Sequence, residues 1–154
     1  MINEPGIYIG IGMVLSLFLT ETLGVTAGGI IVPGYIAMNL DNPSRLIVTF
    51  GISIIVYFII QILSNFVLVY GKRRLVLALL LGFLLGYFTR SENNMLSGLM
   101  HTDFIVIGNI IPGLIANWMD RQGVFRTICT VMITAGVTKL FIMTLSVYQI
   151  INIQ

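Results

Sequence analysis

Ionisable side chains are scarce in this sequence, with eight Lys and Arg and six Asp and Glu among 154 residues, so the position of each is informative. Glu21 and Lys139 fall within apolar runs. A charge at the centre of a bilayer costs about 2.5–3.5 kcal/mol on insertion scales, and such a group usually faces a partner or a water path. Glu21 has Lys139, Arg121 and Arg126 as prospective partners, or else stands as an interfacial carboxylate at the end of a span. Lys139 reads as one member of a structural ion pair, as a snorkelled amine, or as a functional cation. Asp41 and Asp120 either close their segments or take part in function. No catalytic constellation accompanies these charges, because nucleophile elbow, phosphate loop and dinucleotide fingerprint are all missing. An intramembrane enzyme with Glu21 or Asp41 as base lacks a recognisable second catalytic group. The lone His101 excludes a two-histidine zinc motif and, beside Asp103, reads as a surface residue. The lone Cys129 excludes an intrachain disulfide and a cysteine-rich metal site.

The segments that carry two of these charges repeat one another. Gly29-Ile30-Ile31-Val32-Pro33-Gly34-Tyr35-Ile36-Ala37 lies over Gly108-Asn109-Ile110-Ile111-Pro112-Gly113-Leu114-Ile115-Ala116 at a constant offset of 79 positions. Asp41 matches Asp120 at the same offset, and a long apolar run follows each copy. Each Pro-Gly pair sits near the centre of a short apolar stretch, 25–40 and 104–119. Proline removes a helix hydrogen bond and clashes with the preceding turn. The pattern therefore predicts a re-entrant loop or two half-helices, covered by protein or water where the backbone is irregular. The alternative is a pair of kinked short spans, giving six crossings. Short Gly/Pro-interrupted segments at matching positions of two halves point to a binding site in membrane transport proteins.

Composition says what surrounds these segments. The chain is 57% hydrophobic and 9% charged, with mean hydropathy +1.01. Soluble domains carry about 25% charged residues, so an ordinary cytosolic enzyme and a disordered tail are excluded. A net charge of +2 is too small for a nucleic-acid-binding surface. The expected fold is an all-α integral membrane protein. Four apolar runs, 6–23, 46–70, 75–89 and 124–151, read as spans. The first has no basic region ahead of it and is expected to stay as a span rather than be cleaved. A single membrane domain, 1–154, then holds two repeats, about 6–70 and 75–151, the second with a polar insertion at 90–103.

Helix faces add detail. Gly12, Ser16, Thr20 and Gly24 on the first span, and Ala78, Gly82 and Gly86 on the third, form small-residue faces suited to close packing in lipid. Thr49, Ser53, Tyr57, Gln61 and Asn65 make a polar stripe on the second span, and Thr127, Thr130, Thr134 and Thr138 a row on the fourth. Each serves either as interhelical and same-helix hydrogen bonding or as a lining for a substrate. Lys72, Arg73 and Arg74 place the loop between spans two and three in the cytoplasm. The four-span reading puts Arg45, Arg90, Arg121 and Arg126 on the opposite side, which leaves the orientation weakly specified.

The run Glu21-Thr22-Leu23-Gly24 through Gly29-Ile30-Ile31-Val32-Pro33-Gly34-Tyr35 resembles the signature of the CapC/PgsC family of bacterial poly-γ-glutamate synthesis. So do Ile110-Ile111-Pro112-Gly113-Leu114-Ile115-Ala116-Asn117 and the basic loop Tyr70-Gly71-Lys72-Arg73-Arg74. The resemblance covers nearly the whole chain. It implies a non-catalytic membrane subunit in the bacterial cell membrane. The implied partners are a CapB/PgsB-like amide ligase, which supplies the ATP and Mg chemistry, and a CapA/PgsA-like accessory protein. This chain has no cofactor of its own in that picture, and no nucleic-acid partner; association with a second copy stays open. The implied role is to anchor the ligase and help pass the anionic polymer outward. Glu21, Pro33, Gly34, Asp41, Asn109, Pro112, Gly113, Asn117, Asp120, Arg121, Arg126 and Lys139 are the candidates for a polymer path. Cations and free backbone N–H groups near Gly34 and Gly113 would suit a polycarboxylate. Lys72, Arg73 and Arg74 are the candidates for ligase docking, or serve as a plain topology anchor. A self-contained small transporter or channel is the competing reading.

Overall fold

A computed structural model describes residues 5–66, 71–96 and 107–153, and all regular structure among them is helical. The elements are α1 (Pro5–Leu23), α2 (Val32–Met38), α3 (Pro43–Phe66), α4 (Lys72–Leu96), α5 (Ile111–Gln122) and α6 (Val124–Ile153). Three helices are long and apolar enough to cross a membrane, over Pro5–Thr22 in α1, Pro43–Asn65 in α3 and Val124–Tyr148 in α6. The third apolar run lies in α4, which has 25 residues and so extends about 37 Å. The first part of the polar insertion, 90–96, continues α4. His101 and Asp103 lie outside the described residues.

The side-chain distribution is that of a chain solvated by lipid. Large apolar residues such as Leu17, Phe18, Ile47, Phe58, Phe125 and Leu140 face outward, while Ser16, Thr49, Ser53, Ala78, Thr127, Thr134, Ala135 and Thr138 are buried. In hydrocarbon, apolar contact between helices gains little over contact with lipid tails, so small and polar residues take the interfaces. The buried hydroxyls of α3 and α6 cause no desolvation problem because they bond back to backbone carbonyls four residues earlier. Ser53 donates to the Thr49 carbonyl, and Thr134 and Thr138 donate to the carbonyls four residues earlier, each at 2.7 Å. Thr49 donates to the Arg45 carbonyl at 2.7 Å and accepts the Ile107 N–H at 3.0 Å, which ties α3 to the approach to α5.

The two Pro-Gly segments differ from the expectation in one respect. Proline does not break a helix at its centre; it begins one. An irregular run from Gly24 to Ile31 leads into α2, and 107–110 leads into α5, each helix having its proline at the first or second position. There the missing N–H removes no hydrogen bond and the fixed φ suits a helix start. Each described segment is thus one short helix behind irregular chain, not two half-helices. Between α5 and α6 the whole turn is Gly123, at φ 92°, whose N–H bonds the Met119 carbonyl at 2.9 Å. A side chain there would be strained, so glycine allows the chain to reverse in one residue.

Both short helices are inserted between long ones. Helix α2 packs on α1 and α6, and α5 packs on α4 and α3. Val32, Ile36, Ile111, Ile115, Met119, Val131 and Ala135 meet in one buried cluster between them. The directions follow from the contacts along each helix. Gly86 lies at Asn109, Gly82 at Gly113, and Arg74 pairs with Asp120, so α5 runs antiparallel to α4. Thr26 meets Gln122, Gly28 meets Val131, and Asp41 meets Lys139, so the α2 segment runs alongside α6 in the same direction.

Candidate functional site

Glycine places the short helices against the long ones. A Cβ on Gly12 would lie 2.6 Å from the Gly34 Cα, and one on Gly34 would lie 2.7 Å from the Ile9 Cα. The other crossing has the same form. A Cβ on Gly82 would lie 2.6 Å from the Gly113 nitrogen, and one on Gly113 would overlap the Ala78 carbonyl oxygen. The small-residue faces on α1 and α4 therefore serve as packing surfaces, and the glycine of each Pro-Gly pair is the residue they receive. Pro33, Gly34, Pro112 and Gly113 are buried at these crossings, and Asn117, further along α5, is buried as well. Asn109 is partly buried beside Gly86, ahead of α5.

The two matched aspartates each meet a cation from a different helix. Asp41, after α2, pairs with Lys139 of α6. Asp120, on α5, pairs with Arg74 of α4. The Lys139 side chain is 14% exposed and its carboxylate partner 78% exposed. The amine thus reaches from a buried stem to an outward-facing acid, which answers the cost of its depth. Glu21 is exposed near the end of α1 and forms no ion pair with a described residue, so of its two readings the pairing with Lys139, Arg121 or Arg126 is not formed. Arg121 instead lies over the Trp118 ring, 5.4 Å from its centroid.

The charges also sort differently between the two ends of the bundle. Lys72, Arg73 and Arg74 begin α4, and the Arg74–Asp120 pair brings the end of α5 to that level. Arg121 and Arg126 follow at once. The expectation that Arg121 and Arg126 lie opposite the basic loop is therefore corrected. Helix α5 has 12 residues and carries the chain about 18 Å back along α4. A segment counted as non-crossing in fact returns the chain to the basic end. Arg45, near the start of α3, lies at the other end.

One residue that binds this end together escaped the sequence reading. The Gln122 side chain is fully engaged. Its Nε2 donates to the Thr26 carbonyl at 2.6 Å and the Thr127 hydroxyl at 3.1 Å, and its Oε1 accepts the Thr26 N–H and hydroxyl, both at 3.3 Å. The contacts join the loop after α1 to the α5–α6 corner across 96 positions of sequence. No local pattern signals a pairing that distant. The polar stripes, by contrast, were visible but do not line a channel among the described residues. Thr49 and Ser53 are buried in packed core, and Gln61 and Asn65 face outward. Among the described residues no group of three His, Cys, Asp or Glu side chains is placed to hold a metal ion.

Fold and side-chain distribution define a helical membrane protein in which two Pro-Gly helices are clamped between long apolar ones. The chain belongs to the CapC family: the family model for capsule biosynthesis CapC matches residues 11–128. It is 36% identical over 129 residues to the capsule biosynthesis protein CapC of Bacillus anthracis, covering 83% of this chain and 86% of that protein. It is 30% identical over 132 residues to the PGA biosynthesis protein CapC of Bacillus subtilis (strain 168), with the same coverages of 83% and 86%. No solved structure matches.

Proposed function

We propose that this chain is a non-catalytic, multi-pass subunit of the bacterial cell membrane that works in poly-γ-glutamate capsule biosynthesis. It anchors a cytosolic CapB/PgsB-like amide ligase, with a CapA/PgsA-like accessory protein, and helps the anionic polymer cross. The observation that carries this reading is the gathering of Lys72, Arg73, Arg74, Arg121 and Arg126 at one end of the bundle. Cytoplasmic loops of membrane proteins are enriched in Lys and Arg. The basic end is therefore assigned to the cytoplasm, where a ligase and its polycarboxylate product would meet it. Lys72 and Arg73 are exposed there and available for docking. Family membership supports the pathway, since the relatives are described as capsule and PGA biosynthesis proteins.

The same contacts support two inverted repeats, α1–α3 and α4–α6. Each half has a long helix, a short Pro-Gly helix returning against it, and a second long helix, and an odd number of passes inverts the second half. The glycine crossings recur in both halves, Gly12 against Gly34 and Gly82 against Gly113, while the aspartate–cation pairs differ, Asp120–Arg74 lying within the second half and Asp41–Lys139 joining the two. Inverted halves with broken segments at their interface are an arrangement that transporters use. The test is a deletion strain complemented with variants. Neutralising Lys72 and Arg73 together is expected to lower ligase recovery with the membrane fraction and to cut surface polymer. Unchanged ligase recovery and polymer from that variant would remove the docking role.

A further inference from the structure

We infer that the groove between α1 and α6 at the basic end is a binding site for one anionic phospholipid. The groove has a volume of about 300 Å³ and is walled by Leu19 of α1, Val25 just beyond it, and Cys129, Thr130 and Ile133 of α6, with Arg126 among its lining residues. Arg126 stands in the first turn of α6 and makes no ion pair with a described residue. Exposed Glu21, nearby on α1, does not engage it.

The walls behave as apolar surface despite their threonines. Thr130 donates its hydroxyl to the Arg126 carbonyl and Thr134 donates to the Thr130 carbonyl, so neither hydroxyl is left seeking a partner. From Arg126 to Ile133 the groove follows α6 for about 10 Å. A cation at the membrane surface with two turns of apolar wall beneath it matches an amphiphile that has an anionic head and an acyl tail. Basic pockets between helices at the cytoplasmic face bind anionic headgroups. A soluble anion would leave the wall unused, a neutral lipid would leave Arg126 unused, and a hydrophilic polyanion would not cover the apolar wall. Occupancy joins α1 to α6 next to the Thr26–Gln122 contact, so the lipid acts as a clamp on that corner. The site does not depend on the polymer role.

Native mass spectrometry of the detergent-purified full chain tests this, with phosphatidylglycerol, phosphatidylcholine and glycerol 3-phosphate as probes. The expected result is one retained phosphatidylglycerol per chain at concentrations where phosphatidylcholine leaves none and glycerol 3-phosphate does not compete. Arg126→Gln is expected to lower retention about fivefold, the order contributed by one membrane-surface cation. Cys129→Trp, which fills the groove and leaves Arg126 in place, is expected to abolish it. Arg73→Gln is expected to change nothing. Equal retention of phosphatidylcholine, competition by glycerol 3-phosphate, or full retention by a Cys129→Trp variant with unaltered unfolding temperature would each overturn the site. A loss in Arg73→Gln as large as in Arg126→Gln would also overturn it, by assigning the binding to diffuse charge.

Discussion

Gly34 and Gly113 carry strict steric demands, because backbone of the neighbouring helix occupies the space a Cβ would need. Gly34→Val or Gly113→Val is expected to destabilise by about 1–3 kcal/mol or more, as overpacking does. Thermal unfolding in detergent checks it, with Gly136→Ala as a control, since nothing lies within 4 Å of a Cβ there. Gln122 makes a different kind of demand. Its amide satisfies both donors and its acceptor at once, so Gln122→Leu strands the Thr26 backbone groups in a partly buried site. A loss of about 1–3 kcal/mol is expected from the unsatisfied groups, read by the same melts. The importance of the two Pro-Gly glycines was legible in the duplicated motif. That of Gln122 was not, because its partner lies 96 positions away.

At the level of the elements, α2 and α5 are too short to stand alone, since isolated helices under about 12–15 residues are marginal even in water. Packing between long helices holds them, and α5 has one ion pair in addition. Reversing Arg74 to Asp or Asp120 to Arg is expected to lower the melting temperature, and the double swap to recover part of the loss. A double-mutant cycle measures that recovery; no coupling would make the pair incidental. Lys139→Leu is expected to insert normally, because it removes a buried charge stem, while Asp41 is left facing outward. If Lys139 contacts the polymer path, surface polymer falls in this variant, and normal output would leave the Lys139–Asp41 pair purely structural. The sequence marked Lys139, Asp41 and Asp120 as unusual but did not show that Lys139 meets Asp41. Side-chain pairing depends on which helices lie adjacent, and nothing local specifies that.

Over the whole molecule, the direction of α2 and α5 decides the topology. Counting the short segments as non-crossing places the starts of α1 and α4 on one face and divides the arginines between two sides. The ladder from Gly86–Asn109 to Arg74–Asp120 shows that α5 returns the chain to the basic end. The expected arrangement therefore has the start of α1 and the end of α6 on the face opposite Lys72. Single cysteines introduced at Gly6 and at Lys72 into a Cys129→Ser background check it. A membrane-impermeant maleimide applied to intact cells is expected to label the first and not the second.

Much followed from the linear chain alone. Apolar runs, scarce charge, the small-residue faces and the duplicated Pro-Gly segment are properties of spacing and composition, and they specify an all-helical membrane protein with two unusual segments. Tertiary structure alone decided which cation meets which aspartate, that Thr49, Ser53, Thr127, Thr134 and Thr138 are spent on backbone hydrogen bonds and close packing, and that Arg121 and Arg126 share one end with Lys72, Arg73 and Arg74. The physical reason is the same in each case. Helix formation in lipid is governed by local hydropathy and backbone hydrogen bonding, whereas the neighbours of a helix are chosen by shape and polarity across segments far apart in sequence.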